Sequence, residues 1–254
     1  MIQANLQSSS VLLVGAGALG CSCLPYLVGA GVGQVTICDG DKVETTNLHR
    51  QVLFTECDVG RNKAKAAATR ARAMNSGITV TAMPRHCAYD VWTMNLVIDH
   101  CVVVDCSDTV GARYLLNDIC FLTKKLLISA AALGTEGSVT RWGTVNGGPC
   151  YRCVTPQPCL SEAGRQCADH GILGPVAGVL GAIQALEVHR CLAKFGDDNK
   201  KVCIFDGLRL RLFGLPAQRR ACELCGEVQT LKSLRDMKSW AQTQGICVAL
   251  KDKQ

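Results

Sequence analysis

The sequence has few aromatic residues, no long run of basic residues and no long unbroken apolar run. Aromatic residues make up 5% of it, which is too little for the stacking platforms that bind nucleic acid bases. The longest apolar runs, residues 11–20 and 177–185, contain glycines and are shorter than the ~20 residues of a membrane span. Residues 1–5 lack the basic flank and the apolar stretch of a signal peptide. We therefore expect a compact cytoplasmic protein with no direct contact to nucleic acid or membrane.

Cysteine, in contrast, is abundant, and the net charge is moderately positive. The 254 residues carry a formal net charge of +6, which suits the phosphates of a nucleotide or an acidic protein partner. Seventeen cysteines in a chain of this length, without a signal peptide, do not indicate a disulfide framework. Three of them lie in apolar stretches and are expected to be small buried hydrophobic residues: Cys38, Cys101 and Cys203.

Short apolar runs alternate with helical stretches over the first half of the chain. The runs predict strands at residues 11–14, 35–38, 78–82, 101–104 and 126–129. Helices are predicted at residues 18–29, 58–74 and 112–123. The second of these helices is rich in alanine and basic residues, and we expect it to be exposed. Most of the strands do not alternate in polarity, which is typical of a parallel sheet covered on both faces. The pattern predicts a Rossmann-like, doubly wound, mainly parallel α/β sheet.

The second half of the chain has a different pattern. Residues 138–145 and 208–213 alternate apolar and polar side chains, which predicts antiparallel strands with one wet face. A loop rich in proline, glycine and cysteine covers residues 147–174, and a helix is predicted over 176–194. We expect a nucleotide-binding half over about 10–135, a second half over about 136–226, and a C-terminal tail over 227–254.

A glycine-rich turn connects the first strand to the first long helix. Gly15, Gly17 and Gly20 allow a tight turn and a close backbone approach to a phosphate, which the free N–H groups of the following helix then bind. Asp39 ends the next strand at the distance where an acid binds the two ribose hydroxyls. The alternative is a turn with a structural role alone. The strand, turn, helix and acid together favour a nucleotide.

A second polar cluster decides which nucleotide chemistry is expected. It consists of Asp39-Gly-Asp41, then Asn47, Arg50 and Gln51, and then Lys63. Phosphate chemistry needs such cations and amides to offset charge on phosphoryl oxygens, whereas hydride transfer by a nicotinamide-dependent reductase does not. The alternative without a role in nucleotide binding is a solvated loop beside a basic helix face.

Two acids follow the buried strand at 101–104, in the sequence Asp105-Cys-Ser-Asp108. Ligands bind at the carboxyl ends of parallel strands, and Mg²⁺ binds one or two carboxylates together with phosphate oxygens. Asp108 is therefore a candidate magnesium ligand, and the alternative is a helix N-cap.

The remaining candidate residues are cysteines. Two C-x-x-C pairs, Cys150/Cys153 and Cys222/Cys225, provide the four thiolates of a tetrahedral zinc site, which would be closed and structural. Cys167 lies in the loop of residues 147–174, just before the predicted helix. The N-terminus of a helix lowers the pKa of a nearby thiol and makes it a better nucleophile. Cys159 in the same loop is its competitor, and an inert thiol is the alternative.

Together these motifs resemble the adenylating enzymes typified by MoeB, ThiF and the ubiquitin-activating enzymes. The segments that carry the resemblance are Gly15-Ala-Gly-Ala-Leu-Gly20, Asp39-x-Asp41, Asn47-Leu-x-Arg50-Gln51, Val59-Gly-x-x-Lys63, Asp105-Cys-x-Asp108 and the two C-x-x-C pairs. Residues 167–187 resemble the eukaryotic branch that serves molybdopterin synthase and the ubiquitin-related modifier of tRNA thiolation. The resemblance covers residues ~10 to 226 and implies one adenylation domain over 1–226.

The resemblance implies a role for each matching residue. ATP phosphates would bind at Gly15, Gly17 and Gly20, and the ribose at Asp39. The residues implied to surround the triphosphate and its magnesium are Asp41, Asn47, Arg50, Gln51, Lys63 and Asp108. A partner's C-terminal Gly-Gly carboxylate would attack the α-phosphate, and Cys167 matches the cysteine that captures or relays the activated acyl group. The implied cofactors are ATP, Mg²⁺ and Zn²⁺, the implied partner is a small ubiquitin-like sulfur-carrier protein, and the implied assembly is a homodimer.

Two features depart from the family pattern. Family members carry an arginine before the first strand that reaches the partner subunit's active site, and residues 1–10 contain none. The alternative function is therefore a non-catalytic subunit that binds a ubiquitin-like protein within a heteromeric activating enzyme. The eukaryotic branch also ends in a rhodanese domain, for which the 28 residues after Gly226 are too few. We expect a separate protein to donate sulfur.

Overall fold

The computed structural model describes residues 2–143, 147–158, 171–195 and 201–246. Within these residues eight strands form one sheet, and helices cover both of its faces. The strands are β1 (Ser10–Val14), β2 (Gln34–Cys38), β3 (Thr79–Met83), β4 (Val102–Asp105), β5 (Leu126–Leu133), β6 (Glu136–Trp142), β7 (Lys201–Phe205) and β8 (Leu210–Gly214). The helices are α1 (Ile2–Gln7), α2 (Ala18–Gly29), α3 (Lys63–Met74), α4 (Val91–Ile98), α5 (Val110–Leu122), α6 (Tyr151–Val154), α7 (Gly174–Ala193) and α8 (Leu234–Thr243).

The sheet has the order β3-β2-β1-β4-β5-β6-β7-β8. The strands from β3 to β5 in this order pair in parallel, and those from β5 to β8 pair antiparallel. The predicted parallel sheet that continues into antiparallel strands is therefore confirmed. β1 lies between β2 and β4, where the strand order reverses direction, and in such sheets this point opens a crevice at the carboxyl ends of the strands. Val14 at the end of β1 pairs with Cys38 and Asp105 at the ends of its neighbours.

Two apolar clusters fill the space on either side of the sheet. Alternate residues of β1 supply both of them, with Val11 and Leu13 on one face and Leu12 and Val14 on the other. Helices α2, α3 and α7 cover the first face, and α4, α5 and α8 cover the second. Because both faces of the sheet are buried, both sides of these strands carry apolar residues. The strands therefore appear in the sequence as apolar runs without alternation.

Helix α7 is the central helix of the first face. By length and composition it is apolar enough to cross a membrane. Val176, Ala177 and Leu180 are nevertheless buried in the first cluster, as expected for a core helix. At Gly181 a Cβ would lie 2.7 Å from the carbonyl oxygen of Leu19, so glycine allows α7 and α2 to cross closely.

Helix α3 differs from its prediction in start and in burial. Gly60 has φ +84° and Asn62 accepts a hydrogen bond from the backbone N–H of Lys65, so the helix begins only at Lys63. The prediction of an exposed helix was wrong, because the alanines of α3 pack against α2 and β3. The fully buried alanines are Ala64, Ala66, Ala67, Ala68 and Ala71.

Several other elements agree with the sequence pattern to within a few residues. α2 has the predicted bounds, α5 and α7 each begin two residues early, and β6 ends at Trp142. The sequence pattern did not predict α1, α4 or β7, and it indicated only weak helical periodicity over residues 227–254, where α8 lies. Of the three cysteines expected to be buried, Cys38 is buried, Cys203 is half-buried and Cys101 is exposed. The expectation for Cys101 was wrong because this residue lies before the amino-terminal end of β4, outside the buried strand.

Candidate functional site

The glycine turn between β1 and α2 lies at the carboxyl edge of the sheet. Gly15 has φ +95°, and a Cβ there would lie 2.7 Å from the carbonyl oxygen of Cys106. A Cβ on Gly20 would overlap the carbonyl oxygen of Gly15. Glycine is therefore required at both positions, because a side chain at either one would clash with neighbouring backbone. Without those side chains, the backbone N–H groups at the start of α2 stay open to a ligand.

Asp39, at the end of β2, ties this turn to the loop that follows it. Its Oδ2 accepts a hydrogen bond from the backbone N–H of Ala16 at 2.7 Å, and its Oδ1 accepts one from the N–H of Asp41 at 2.8 Å. Burial raises the pKa of Asp39, and Lys63 and the two N–H donors oppose this effect. Both carboxylate oxygens of Asp39 therefore accept backbone N–H groups beside the glycine turn, where the sequence predicts the ribose.

Lys63 extends from the first turn of α3 to the same loop. Its side chain is 9% exposed, and its Nζ lies 3.1 Å from Oδ2 of Asp41. Asn62, which sequence reasoning missed, donates from its side chain to the carbonyl oxygens of Asp39 and Asp41 at 2.9 and 3.1 Å. The signal for Asn62 was its position as the N-cap of α3. These contacts place a nearly buried ammonium group next to Asp39.

Asn47, Arg50 and Gln51 follow β2 on the other side of the turn. The guanidinium of Arg50 donates to the side-chain oxygen of Asn47. Gln51 is buried, a Cβ on Gly17 would lie 3.9 Å from its Nε2, and its Oε1 accepts no hydrogen bond from the described residues. A buried acceptor without a donor is expensive unless a ligand or water supplies one. Gln51 therefore suits a polar ligand at the glycine turn.

Asp105 ends β4 at the same edge, and Asp108 follows three residues later. Asp105 is fully buried, and its Oδ1 accepts the N–H of Ser107 at 3.0 Å, which fixes the turn that leads to Asp108. Asp108 itself is exposed. The alternative that Asp108 caps α5 is wrong, because Thr109 is the N-cap and accepts the N–H of Ala112 at 3.2 Å. Asp108 is therefore an exposed carboxylate beside the crevice.

Gln184 of α7 is a further residue that sequence reasoning gave no role. It is fully buried, and its Nε2 donates to the carbonyl oxygens of Asp105 and Ile128 at 2.7 and 3.1 Å. These bonds connect α7 to the ends of β4 and β5. The signal in the sequence was one amide in an apolar helix.

The two C-x-x-C pairs, 72 residues apart, meet on the opposite face of the sheet. The sulfurs of Cys150 and Cys222 are 3.6 Å apart, those of Cys153 and Cys225 are 3.3 Å apart, and those of Cys150 and Cys153 are 4.0 Å apart. All four sulfurs lie within 4.8 Å of one another. Zinc–sulfur bonds of about 2.3 Å require a tetrahedron edge of about 3.8 Å. The cluster therefore has the donors and the size for a four-coordinate metal ion.

The metal cluster is anchored to α5 by Arg152, which lies between the cysteines of the first pair. Arg152 is 2% exposed and donates from Nε and Nη2 to the two carboxylate oxygens of Asp118, each at 2.7 Å. Trp240 of α8 lies over the Arg152 guanidinium, with its ring centroid 3.6 Å from Cζ. The cluster, α5 and α8 thus form one packed unit.

Cys167 and its competitor Cys159 lie outside the described residues. None of the cysteines that the structure describes forms a disulfide. The structure brings Asp39, Asp41, Lys63 and Gln51 together at the glycine turn and the loop after β2. The role of each residue toward ATP stays a prediction.

Comparisons with known proteins give the family and the fold. A sequence model of the ThiF family matches residues 2–226. The mouse protein named adenylyltransferase and sulfurtransferase MOCS3 is 44% identical over 98% of this chain, which spans 55% of that protein. The protein of the same name from Aedes aegypti is 41% identical over 94% of this chain and 55% of its own length. The chain thus spans about half the length of these curated relatives.

A crystal structure of E. coli MccB with AMPCPP and selenomethionine-labelled MccA has a similar fold. The two chains superpose with a TM-score of 0.75 and 23% sequence identity, over 89% of this chain and 69% of the MccB chain.

Proposed function

This chain belongs to the ThiF family, and we propose that it is an ATP-dependent adenylyltransferase that activates the C-terminal glycine of a small ubiquitin-like sulfur-carrier protein. One observation carries the proposal. Asp39 binds the backbone of both the glycine turn and the loop of Asp41, and Asp41 in turn holds the ammonium of Lys63. Anion-binding backbone and a fixed cation therefore occupy one crevice.

The reaction follows from the charges that this crevice offsets. An oxygen of the carrier's C-terminal carboxylate bonds to the α-phosphorus of ATP. The bond from that phosphorus to the oxygen bridging it to the β-phosphate breaks, and pyrophosphate leaves with the electron pair. No proton moves in this step, so the side chains act through charge and position. Lys63 and Arg50 would offset the triphosphate, Gln51 and Asn47 would orient it, and Asp39 would bind the ribose.

Magnesium would accompany ATP and bind at Asp108. Mg²⁺ keeps several waters and takes one or two carboxylates along with substrate phosphates. An exposed carboxylate after β4, beside the glycine turn, fits that requirement. There the ion would neutralise phosphate charge and hold the triphosphate in place.

Zinc is the metal that we propose for the cluster of Cys150, Cys153, Cys222 and Cys225. Four sulfur ligands and tetrahedral size are typical of structural zinc. The site has no open position for a substrate, so the ion would only tie residues 150–153 to 222–225.

The partners and the compartment follow from the same proposal. The carrier would end in Gly-Gly, and two copies of the chain would form a homodimer. Cys167 would take part in the transfer that follows adenylation. The absence of disulfides among the described cysteines suits a reducing cytoplasm, since disulfides persist in oxidising compartments. The retained Arg50, Lys63 and Asp108 favour an active enzyme over a non-catalytic subunit.

Exchange of radioactive pyrophosphate into ATP tests the proposal. A carrier ending in Gly-Gly should stimulate exchange, and the same carrier without its final glycine should not. Mass spectrometry should find the intact carrier heavier by one AMP. Equal exchange with both carriers, or none with any Gly-Gly carrier, would overturn the proposed activity.

A further inference from the structure

A histidine that no sequence motif indicated lies at the proposed ATP site. Oδ2 of Asp41 lies 3.1 Å from Nζ of Lys63, and its Oδ1 lies 3.4 Å from Nε2 of His86. The Lys63 side chain is 9% exposed, and those of Asp41 and His86 are 58% and 41% exposed. One carboxylate thus holds two groups, and only Lys63 is removed from water.

The backbone fixes this arrangement. The N–H of Lys63 donates to the carbonyl oxygen of Asp41 at 2.8 Å. His86, in the loop after β3, lies so close to Gly40 that a Cβ on residue 40 would overlap its ring. A side chain at position 40 would therefore push the imidazole away from Asp41. The glycine between Asp39 and Asp41 is what allows the contact.

We propose that His86 is a positioning residue for ATP: its protonation decides how strongly Asp41 holds the ammonium of Lys63. This inference rests on the proposed function. With His86 neutral, the two carboxylates of Asp39 and Asp41 face the single ammonium of Lys63. A proton on His86 balances the charge, takes over part of the Asp41 carboxylate, and leaves more of the Lys63 charge for the triphosphate. ATP should bind more tightly when His86 is protonated.

The surrounding charges raise the pH at which His86 titrates. The hydrogen bond with Asp41 raises the pKa of His86 above its ordinary value, with Asp39 adding to the effect and burial and Lys63 opposing it. On the loop of His86 itself, Arg85 is paired with Asp90 at 2.8 Å. Cys87 is hydrogen-bonded to Cys38, and this bond and burial raise its pKa, so it stays neutral.

The test compares equilibrium binding of magnesium-ATP to the full chain and to His86→Gln between pH 6 and 9. Glutamine keeps a hydrogen-bond donor but does not titrate. Wild type should bind ATP more tightly than the variant at low pH, by about three- to tenfold, and equally at high pH. The titration of ATP itself affects both proteins alike. His86→Lys, charged throughout this range, should bind ATP with little dependence on pH.

A second measurement tests whether the contact with Asp41 raises the pKa of His86. In an NMR titration, Asp41→Asn should lower the pKa of His86 relative to wild type, because its largest raising interaction is removed. Parallel binding curves for wild type and His86→Gln would overturn the inference and leave the proposed function intact. Absence of ATP binding at every pH would overturn both, and an unchanged His86 pKa in Asp41→Asn would overturn the inference alone.

Discussion

Arg152 and Asp118 form a buried bidentate ion pair that joins the metal cluster to α5. The two hydrogen bonds are each 2.7 Å long, and the side chains are 2% and 0% exposed. Tyr89 donates to the same carboxylate at 3.0 Å. Breaking a buried pair by removing one charge is costly because the other charge stays buried without a partner. The pair therefore holds the position of the cluster relative to the sheet.

Asp118→Asn should lower the free energy of unfolding by about 3–5 kcal/mol, as measured by urea denaturation. The matched control is Arg211→Ala, which removes the exposed ion pair of Arg211 with Asp206 at 3.2 Å. Its cost should be much smaller, because water screens exposed pairs. An equal loss of unfolding free energy in the two variants would show that the buried Arg152–Asp118 pair stabilises the protein no more than the exposed pair does.

Two glycines of α2 should respond in opposite ways to alanine. Gly20→Ala forces its Cβ onto the carbonyl oxygen of Gly15, so it should destabilise the protein by about 1–3 kcal/mol and abolish ATP binding. Gly29→Ala meets no atom within 4 Å and should be neutral or stabilising by about 0.5–1 kcal/mol. Melting temperatures with and without ATP measure both effects. Normal ATP binding by Gly20→Ala would contradict the assignment of the turn.

Metal content should depend on the four clustered cysteines and on no exposed one. Purified protein should contain about one zinc ion per chain, and Cys222→Ser should lower both the zinc content and the melting temperature, because a structural metal contributes its binding energy to folding. Cys57, which is exposed and lies outside the cluster, provides the control Cys57→Ser. A chelator should destabilise the control and wild type alike. Full zinc content in Cys222→Ser would exclude the proposed ligand set.

Adenylation and acyl transfer should separate in two variants. Asp108→Ala should reduce ATP–pyrophosphate exchange by about a hundredfold or more, since removing one group that stabilises transition-state charge has effects of that size. Cys167→Ala should retain exchange and lose the later transfer from the adenylated carrier. Exchange and a transfer assay on the same preparations measure the two steps. If both variants lose exchange equally, the separation of their roles is wrong.

Buried His100 should make folding sensitive to acid. Its Nδ1 lies 2.7 Å from the carbonyl oxygen of Leu96, its Nε2 lies 2.8 Å from Oγ1 of Thr36, and burial lowers its pKa. Below the ordinary histidine pKa of about 6.5 the unfolded chain binds the proton more readily, so stability falls as pH falls.

His100→Gln removes the titrating imidazole and also its hydrogen bonds with Leu96 and Thr36. At pH 7.5 wild type should have a higher free energy of unfolding than His100→Gln. The difference between the two proteins should be smaller at pH 5. A difference that is the same at both pH values would contradict the assignment of His100 as buried and neutral.

The sequence predicted elements best where a local pattern dominates. α2 was predicted with its full bounds because the glycine turn before it and Gly31 after it mark its ends. α3 was predicted too long and too exposed, because alanines are compatible with either face and only contact with α2 and β3 decides their burial. α8 was indicated only weakly because its Trp240 and Met237 are ordered by the second apolar cluster and Arg152, which are distant in sequence.

By itself the sequence determined the glycine turn, the acids that end β2 and β4, and the spacing within each C-x-x-C pair. These features depend on backbone geometry and residue type over a few neighbours, so they can be read along the chain. Tertiary structure alone decided that Cys150 meets Cys222, that Arg152 meets Asp118 and that His86 reaches Asp41. Each of these contacts joins residues far apart in sequence, and their distances are set by how the helices and loops pack on the sheet.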